Sequence, residues 1–104
     1  MLILTISKIP NKEYEVLGLV KGSVVQSKHV GRDIMASFKT IIGGEIKGYT
    51  EMLVEAREIA TGRMINEAKN LGANAIVSAR FATSNIMQNA AEVLAYGTAI
   101  KIVK

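Results

Sequence analysis

Residues 50–72 read TEMLVEAREIATGRMINEAKNLG, and this stretch decides the fold. At 100° per residue, Leu53, Ala56, Ala60, Met64 and Leu71 fall on one stripe, and Glu51, Glu55, Glu58, Asn66 and Lys69 fall on the opposite one. Thr50 is the expected N-cap, Glu51 suits the positive end, Lys69 suits the negative end, and Gly72 supplies the stop. The spacing therefore predicts a long helix over about 51–71. Glu67 breaks the stripe: it sits inside the apolar face, four residues after Arg63, with Arg57 on the flank. A lone carboxylate there is costly to bury, so a pair with Arg63 is the least costly arrangement. That pair reads either as an ion pair fixing packing register or as part of a charged pocket at a subunit contact.

On either side of the helix the pattern changes to strands. Upstream, Met1 to Ile6 is a short apolar strand and Pro10-Asn11 is a turn signal. Tyr14 to Gln26 carries Tyr14, Val16, Val20 and Val24 on one face, with Gly18 and Gly22 in the same set, and Leu17, Leu19 and Val25 on the other. Glycines four apart on a strand face point to a bend or to close approach of another backbone. Asp33 can cap a short helix over 34–42, where Ile34, Phe38 and Ile41 recur at helical spacing before Gly43. Downstream, Ala75, Val77, Ala79 and Phe81 alternate with Ile76, Ser78, Arg80 and Ala82. In the last strand Leu94, Tyr96, Ile100 and Ile102 alternate with Val93, Ala95, Gly97, Ala99 and Val103, so both faces are apolar and one is built of small residues.

The expected architecture is a single α+β domain over 1–104: an antiparallel sheet of about four strands with one long and one short helix on one face. Two helices cover only one face of such a sheet. Val93, Ala95, Gly97 and Ala99, or their opposites, are then left without cover inside one chain, and apolar patches of that size mark an interaction surface. Together with Arg63 and Glu67 they are the candidate interface residues of a homo-oligomer.

Composition narrows the chemistry. With 49% hydrophobic residues in 104 and no stretch near ~18 apolar residues, the chain is neither disordered nor membrane-spanning. The opening Met1-Leu2-Ile3-Leu4 is too short for a secretory signal core, and a cytoplasmic location is expected. Zero Cys excludes disulfides, thiolate metal sites and cysteine nucleophiles. The net charge of +4 comes from scattered cations with few aromatic residues, so no nucleic-acid platform is expected. None of the serines has the surroundings of a nucleophile elbow, no catalytic residues can be assigned, and no cofactor is expected.

Three groups remain as candidates. Gly43-Gly44-Glu45-Ile46-Lys47-Gly48-Tyr49-Thr50 superficially fits a phosphate loop, with Gly43, Gly44, Lys47 and Tyr49 as the cofactor- or anion-binding residues. Tyr49 stands where the loop lysine belongs, and a structural turn uses the same residues equally well. If Tyr49 or Lys47 had a lowered pKa, proton transfer at this loop is the enzymatic alternative. Glu51, Glu55 and Glu58, at i, i+4 and i+7, share a helix face able in principle to hold a hard cation, the alternative being a solvated face. His29 is the only histidine and lies between Lys28 and Arg32.

The chain resembles the YbjQ family, described as a putative heavy-metal-binding domain. The likeness spans nearly the whole chain. It rests on Gly18-Leu19-Val20-Lys21-Gly22, on residues 42–51 from Ile42 through Gly43-Gly44 to Glu51, on Ala56-Arg57 with Arg63-Met64, on Gly72-Ala73-Asn74-Ala75-Ile76-Val77, and on Ala95-Tyr96-Gly97-Thr98-Ala99. The resemblance implies a small α+β fold similar to the dodecin subunit and a homo-oligomeric ring, commonly a pentamer. It carries over no catalytic residue. Because one chain offers no Cys and one His, a metal ion is expected only where ring symmetry brings one ligand per subunit to a common axis.

Overall fold

The computed structural model describes residues 1–27, 41–42, 45–88 and 90–104. The order along the chain is β1 (Leu2–Ile3), β2 (Tyr14–Ser27), β3 (Ile41–Ile42), β4 (Glu45–Ile46), α1 (Lys47–Asn70), β5 (Ala75–Met87) and β6 (Ala90–Ile102). Four strands form one sheet in the order β1-β5-β6-β2, and β3 pairs with β4 in a separate two-stranded ribbon. The α+β class is as expected. The expected short helix over 34–42 lies mostly outside the described residues, and its last two positions, Ile41 and Ile42, form β3.

The sheet is mixed rather than antiparallel, because β1 runs parallel to β5. The helix is the reason. It carries the chain back along the sheet, so that β5 starts beside Leu2, whose N–H bonds to the Asn74 carbonyl at 3.4 Å. Bonds from Leu4 N to Ile76 O and from Ser78 N to Ile6 O, both 2.8 Å, extend the contact to Ile6. The β2, β6 and β5 portion is antiparallel, so the likeness to a dodecin subunit holds in part.

α1 ends where its sequence says. Gly72 adopts φ +85° and donates to Lys69 O at 2.9 Å, while Ala73 donates to Ala68 O at 3.0 Å, the paired bonds of a Schellman stop. Its start differs, because the helix begins at Lys47 and not after Thr50. Thr50 therefore lies within the first turns and does not cap them. The buried stripe is Met52, Ala56, Ala60, Met64 and Ala68, whereas Leu53 is half-buried and Leu71 exposed.

Small residues bring this helix onto the sheet. Gly22 lies directly beneath it: a Cβ there would meet the main chain at Ala60 O and Met64 N and stand 2.7 Å from Arg63 Cβ. Val20, Val24, Val93, Ala95 and Ala99 complete the core under α1.

Three register shifts interrupt the sheet, one of them between Asn85 and Met87 near the end of β5, and the other two reset which face the long strands present. The β2–β6 register shifts between Val16 and Gly18, with Gly18 at φ +134°. One extra residue inverts everything beyond it. Val20, Gly22 and Val24 consequently face α1, while Tyr14 joins Ala75, Val77 and Ile100 in a second cluster on the opposite side and Val16 is 67% exposed. The expected grouping of Tyr14 and Val16 with Val20 and Val24 is thus corrected. β5 shifts likewise between Val77 and Arg80, with Ser78 at φ 54°. Phe81 then pairs with Ala95 on the helix side, and the uninterrupted alternation expected over 75–82 is broken.

Candidate functional site

The small-residue face of β6 is covered within the chain. Val93, Ala95 and Ala99 are fully buried beneath α1 and Gly97 is buried beside them, so these candidate interface residues pack internally. Their opposites are the open side. Leu94, Tyr96 and Thr98 are half-buried, and Leu19, paired with Thr98, is 66% exposed. Val25 and Val16 add to this surface, which no helix among the described residues covers.

Arg63 and Glu67 are brought together with β2, an edge strand. Arg63 Nη1 donates to Ser23 O at 2.6 Å, and Lys21 N donates to Glu67 Oε1 at 3.2 Å. Both side chains are exposed, so Glu67 is not the buried carboxylate that its place in the helical stripe suggested. The reason is the position of α1, which lies so near the sheet edge that this flank of the helix reaches the outward main-chain groups of β2. An edge strand presents such groups to any passing chain, and these two side chains occupy them at 21 and 23. Replacing Arg63 by Met is expected to cost about 0.5–1.5 kcal/mol, the range of one hydrogen bond, and to speed amide exchange locally in β2. Urea unfolding with hydrogen exchange checks this; unchanged protection near Ser23 would contradict the contact.

Among the described residues no strand lies along the distal half of the opposite edge. β1 and the residues up to Ile6 flank β5 only near its start, whereas Phe81 to Met87 are exposed throughout. Phe81, Ile86 and Met87 are 55%, 50% and 68% exposed. Residue type alone did not single them out. The available signal was the pair Ile86-Met87, apolar within the polar run from Thr83 to Asn89.

The Gly43–Thr50 candidate changes character. Gly43 and Gly44 lie outside the described residues, Glu45 and Ile46 form β4, and Lys47, Gly48 and Tyr49 belong to the first turn of α1. Tyr49 is half-buried, and its hydroxyl donates to Asn85 Oδ1 on β5 at 3.4 Å. The phenol thereby ties the helix start to the distal end of the sheet. Asn74 plays a comparable role at the other end: its Nδ2 donates to Ile102 O at 3.0 Å, and its Oδ1 accepts from Ile102 N at 2.7 Å. That amide imitates one more residue of strand pairing.

The metal candidates do not assemble among the described residues. His29 lies outside the described residues, and Glu51, Glu55 and Glu58 are exposed along α1. Among the described residues no group of three or more His, Cys, Asp or Glu side chains is placed to hold an ion. Carboxylates without thiolate or clustered imidazole are a hard-cation donor set, which does not fit a heavy metal. Among the described residues no helix is long and apolar enough to cross a membrane.

The chain is 64% identical to a UPF0145 protein of Helicobacter hepaticus over 102 residues, covering 98% of each chain. It is 65% identical to one from Photobacterium profundum, covering 98% of this chain and all of the relative. With a UPF0145 protein of Thermotoga maritima it shares 58% identity over 100% of this chain and 99% of the relative. A crystal structure of a protein of unknown function in the DUF74 family, from Pediococcus pentosaceus, superposes with a TM-score of 0.66 at 19% identity, covering 99% of this chain and 98% of that one. At that identity the likeness concerns the fold. The family model described as "Putative heavy-metal-binding" matches residues 1–103, and the chain belongs to this YbjQ (UPF0145) family.

Proposed function

We propose that the protein is a non-enzymatic, ring-forming homo-oligomer, with five copies as the expected number, whose subunit contacts offer a place for a small ligand. The observation that carries this reading is the apolar surface left uncovered by one chain: Val16, Leu19 and Val25 on the helix-free side, and Phe81, Ile86 and Met87 along the open edge of β5. A patch of this kind on a small soluble chain marks an interaction surface. The two sheet edges are unlike: Arg63 and Glu67 occupy main-chain groups of β2, whereas β5 is paired with β1 only near its start and, among the described residues, has no strand beside its distal half. Unlike edges favour a head-to-tail contact, and head-to-tail contacts give a ring where the rotation between copies closes.

Of the two readings of the Gly43–Thr50 stretch, a structural role is the one favoured, as part of a helix and not as a turn, since Gly48 and Tyr49 are helical and Tyr49 hydrogen-bonds a side chain of the sheet. Enzymatic use of this segment has no comparable observation behind it. Heavy-metal binding, the family description, finds no fitting donor set among the described residues of one chain, and ligands contributed by several copies are the arrangement that would supply it.

Sedimentation velocity is the test. Five copies of 11.2 kDa give a particle of about 56 kDa. Replacing Ile86 and Met87 together by Lys is expected to release subunits of 11.2 kDa with the fold intact, since both side chains are exposed in the chain. A compact wild-type monomer at micromolar concentration would sink the proposal.

A further inference from the structure

The face of the sheet turned away from α1 carries its side chains in rows that cross the strands. Val93 and Ala95 lie beneath the helix, so Glu92, Leu94 and Tyr96 point to the other side, together with their partners on β2 and β5. The register places Tyr96 between Lys21 and Arg80, Leu94 between Ser23 and Ala82, and Glu92 between Val25 and Ser84. Residues 7–13 carry the chain from the β5 edge to β2, and Ile9 packs on Ala75, Val77 and Ile100, so the three rows occupy the part of the face beyond that crossing. The members on β6 are half-buried, and those on β2 and β5 are exposed.

Charge is therefore separated by sign along this face. Two cations bracket the Tyr96 phenol, each on a strand about 4.8 Å from β6, whereas neither cross-strand neighbour of Glu92 is a cation. Leu94 stands between the two charged rows with only small side chains beside it, and successive rows are about 7 Å apart, two residues of strand. A second copy laid on this face with its strands reversed, about a two-fold axis along the Leu94 row, sets each charged row against the row of opposite sign. Glu92 of each copy then lies over Tyr96 of the other, between Lys21 and Arg80, and Leu94 meets its own counterpart. Arg80 is already steadied for this contact: its Nη1 donates to Thr5 O at 3.0 Å and to Ala79 O at 2.8 Å, and Nε and Nη2 carry three further donors. A carboxylate among a guanidinium, an ammonium and a phenol gains several charge-assisted bonds, which is the condition for offsetting its desolvation. Sheets packed face to face keep their strands within about 30° of alignment, so the rows stay opposed across three strands. Resting on the reading of the uncovered surface as a contact between copies, we propose that this face binds a second copy of the chain in the two-fold arrangement, locked by reciprocal contacts of Glu92 with Lys21, Tyr96 and Arg80. The β5 edge remains the contact that closes the ring, and rings pair through the face into particles of ten copies.

One such contact is smaller than the ~800 Å2 per partner of a standard interface, so it is read by sedimentation equilibrium of the full chain at on the order of 0.5 mM. The wild type is expected at ten copies, about 112 kDa, and Glu92→Lys at five, about 56 kDa. That substitution sets a third cation between Lys21 and Arg80 and should leave the circular dichroism spectrum unchanged. Because the chain has no Cys, Leu94→Cys adds a single thiol per copy, placed on the axis. A bis-maleimide linker of about 8 Å should join two copies there, with the sheets about 10 Å apart, and should fail at Thr98→Cys, which lies about 27 Å from its own counterpart. Five copies in the wild type would overturn the proposal and leave the ring reading intact. An unchanged mass in Glu92→Lys, or equal linking at positions 94 and 98, would also overturn it. A fall from ten copies to single chains in Glu92→Lys would overturn it by showing that this face closes the ring. A wild type of two copies that Glu92→Lys reduces to one would instead remove the ring reading and leave this one standing.

Discussion

Replacing Gly22 by Val is expected to destabilise the protein by about 3 kcal/mol or more, at the top of the usual overpacking range. For a domain of this size the melting temperature should fall by roughly 12–24 °C. The cause is the seat of the helix: any Cβ at Gly22 meets the main chain at Ala60 O and Met64 N, and Arg63 Cβ at 2.7 Å. Side chains can turn aside, but a helix backbone moves only as a whole. Lifting α1 would also withdraw Arg63 from Ser23 and Glu67 from Lys21. Gly62→Ala is the matched control, because its Cβ enters open space and should stabilise the helix by about 0.5–1 kcal/mol. Thermal denaturation at fixed protein concentration reads both. Wild-type stability in Gly22→Val would mean that the helix does not rest on this strand.

The second large effect lies where β5 crosses β6. Ile76 is fully buried, and truncation to Ala should cost about 2–5 kcal/mol through lost transfer energy and a residual cavity. Whole domains of this size are stable by only about 5–15 kcal/mol, so much of the margin would go. Gly97 tests the same contact from the other strand, since a Cβ there stands 2.7 Å from Ile76 Cγ2 and 3.1 Å from Val77 O. Gly97→Ala alone should cost about 1–3 kcal/mol by overpacking. In the double variant, Ile76→Ala removes the methyl that the new Cβ strikes, so the combined loss should fall short of the sum by about 0.5–3 kcal/mol. Strict additivity in urea unfolding would show that the two residues do not touch.

Sequence reading went furthest where the information is local. The stop at Gly72, the small-residue face of β6 and the close approach over Gly22 all follow from residue size and helical or strand spacing, which act within one or two turns or across one strand. The absence of cysteine restricted the metal chemistry in the same direct way. The helix start was less legible. Gly48 is a poor helix residue, so Thr50 looked like the boundary, yet the bond from Tyr49 to Asn85, 36 residues away, anchors the first turn.

What the amino-acid order determined by itself was therefore the long helix with its end and the strands around it, while which face of β6 meets the helix stayed open between Val93, Ala95, Gly97 and Ala99 and their opposites. Tertiary structure decided the direction of β1, the faces of β2 and β5, and the use of Arg63 and Glu67 on a strand edge in place of a buried pair. The physical reason is that strand alternation has a period of two. A single extra residue at Leu17, or the shift at Ser78, moves every later side chain to the other face, and whether the chain takes that step depends on partners distant in sequence.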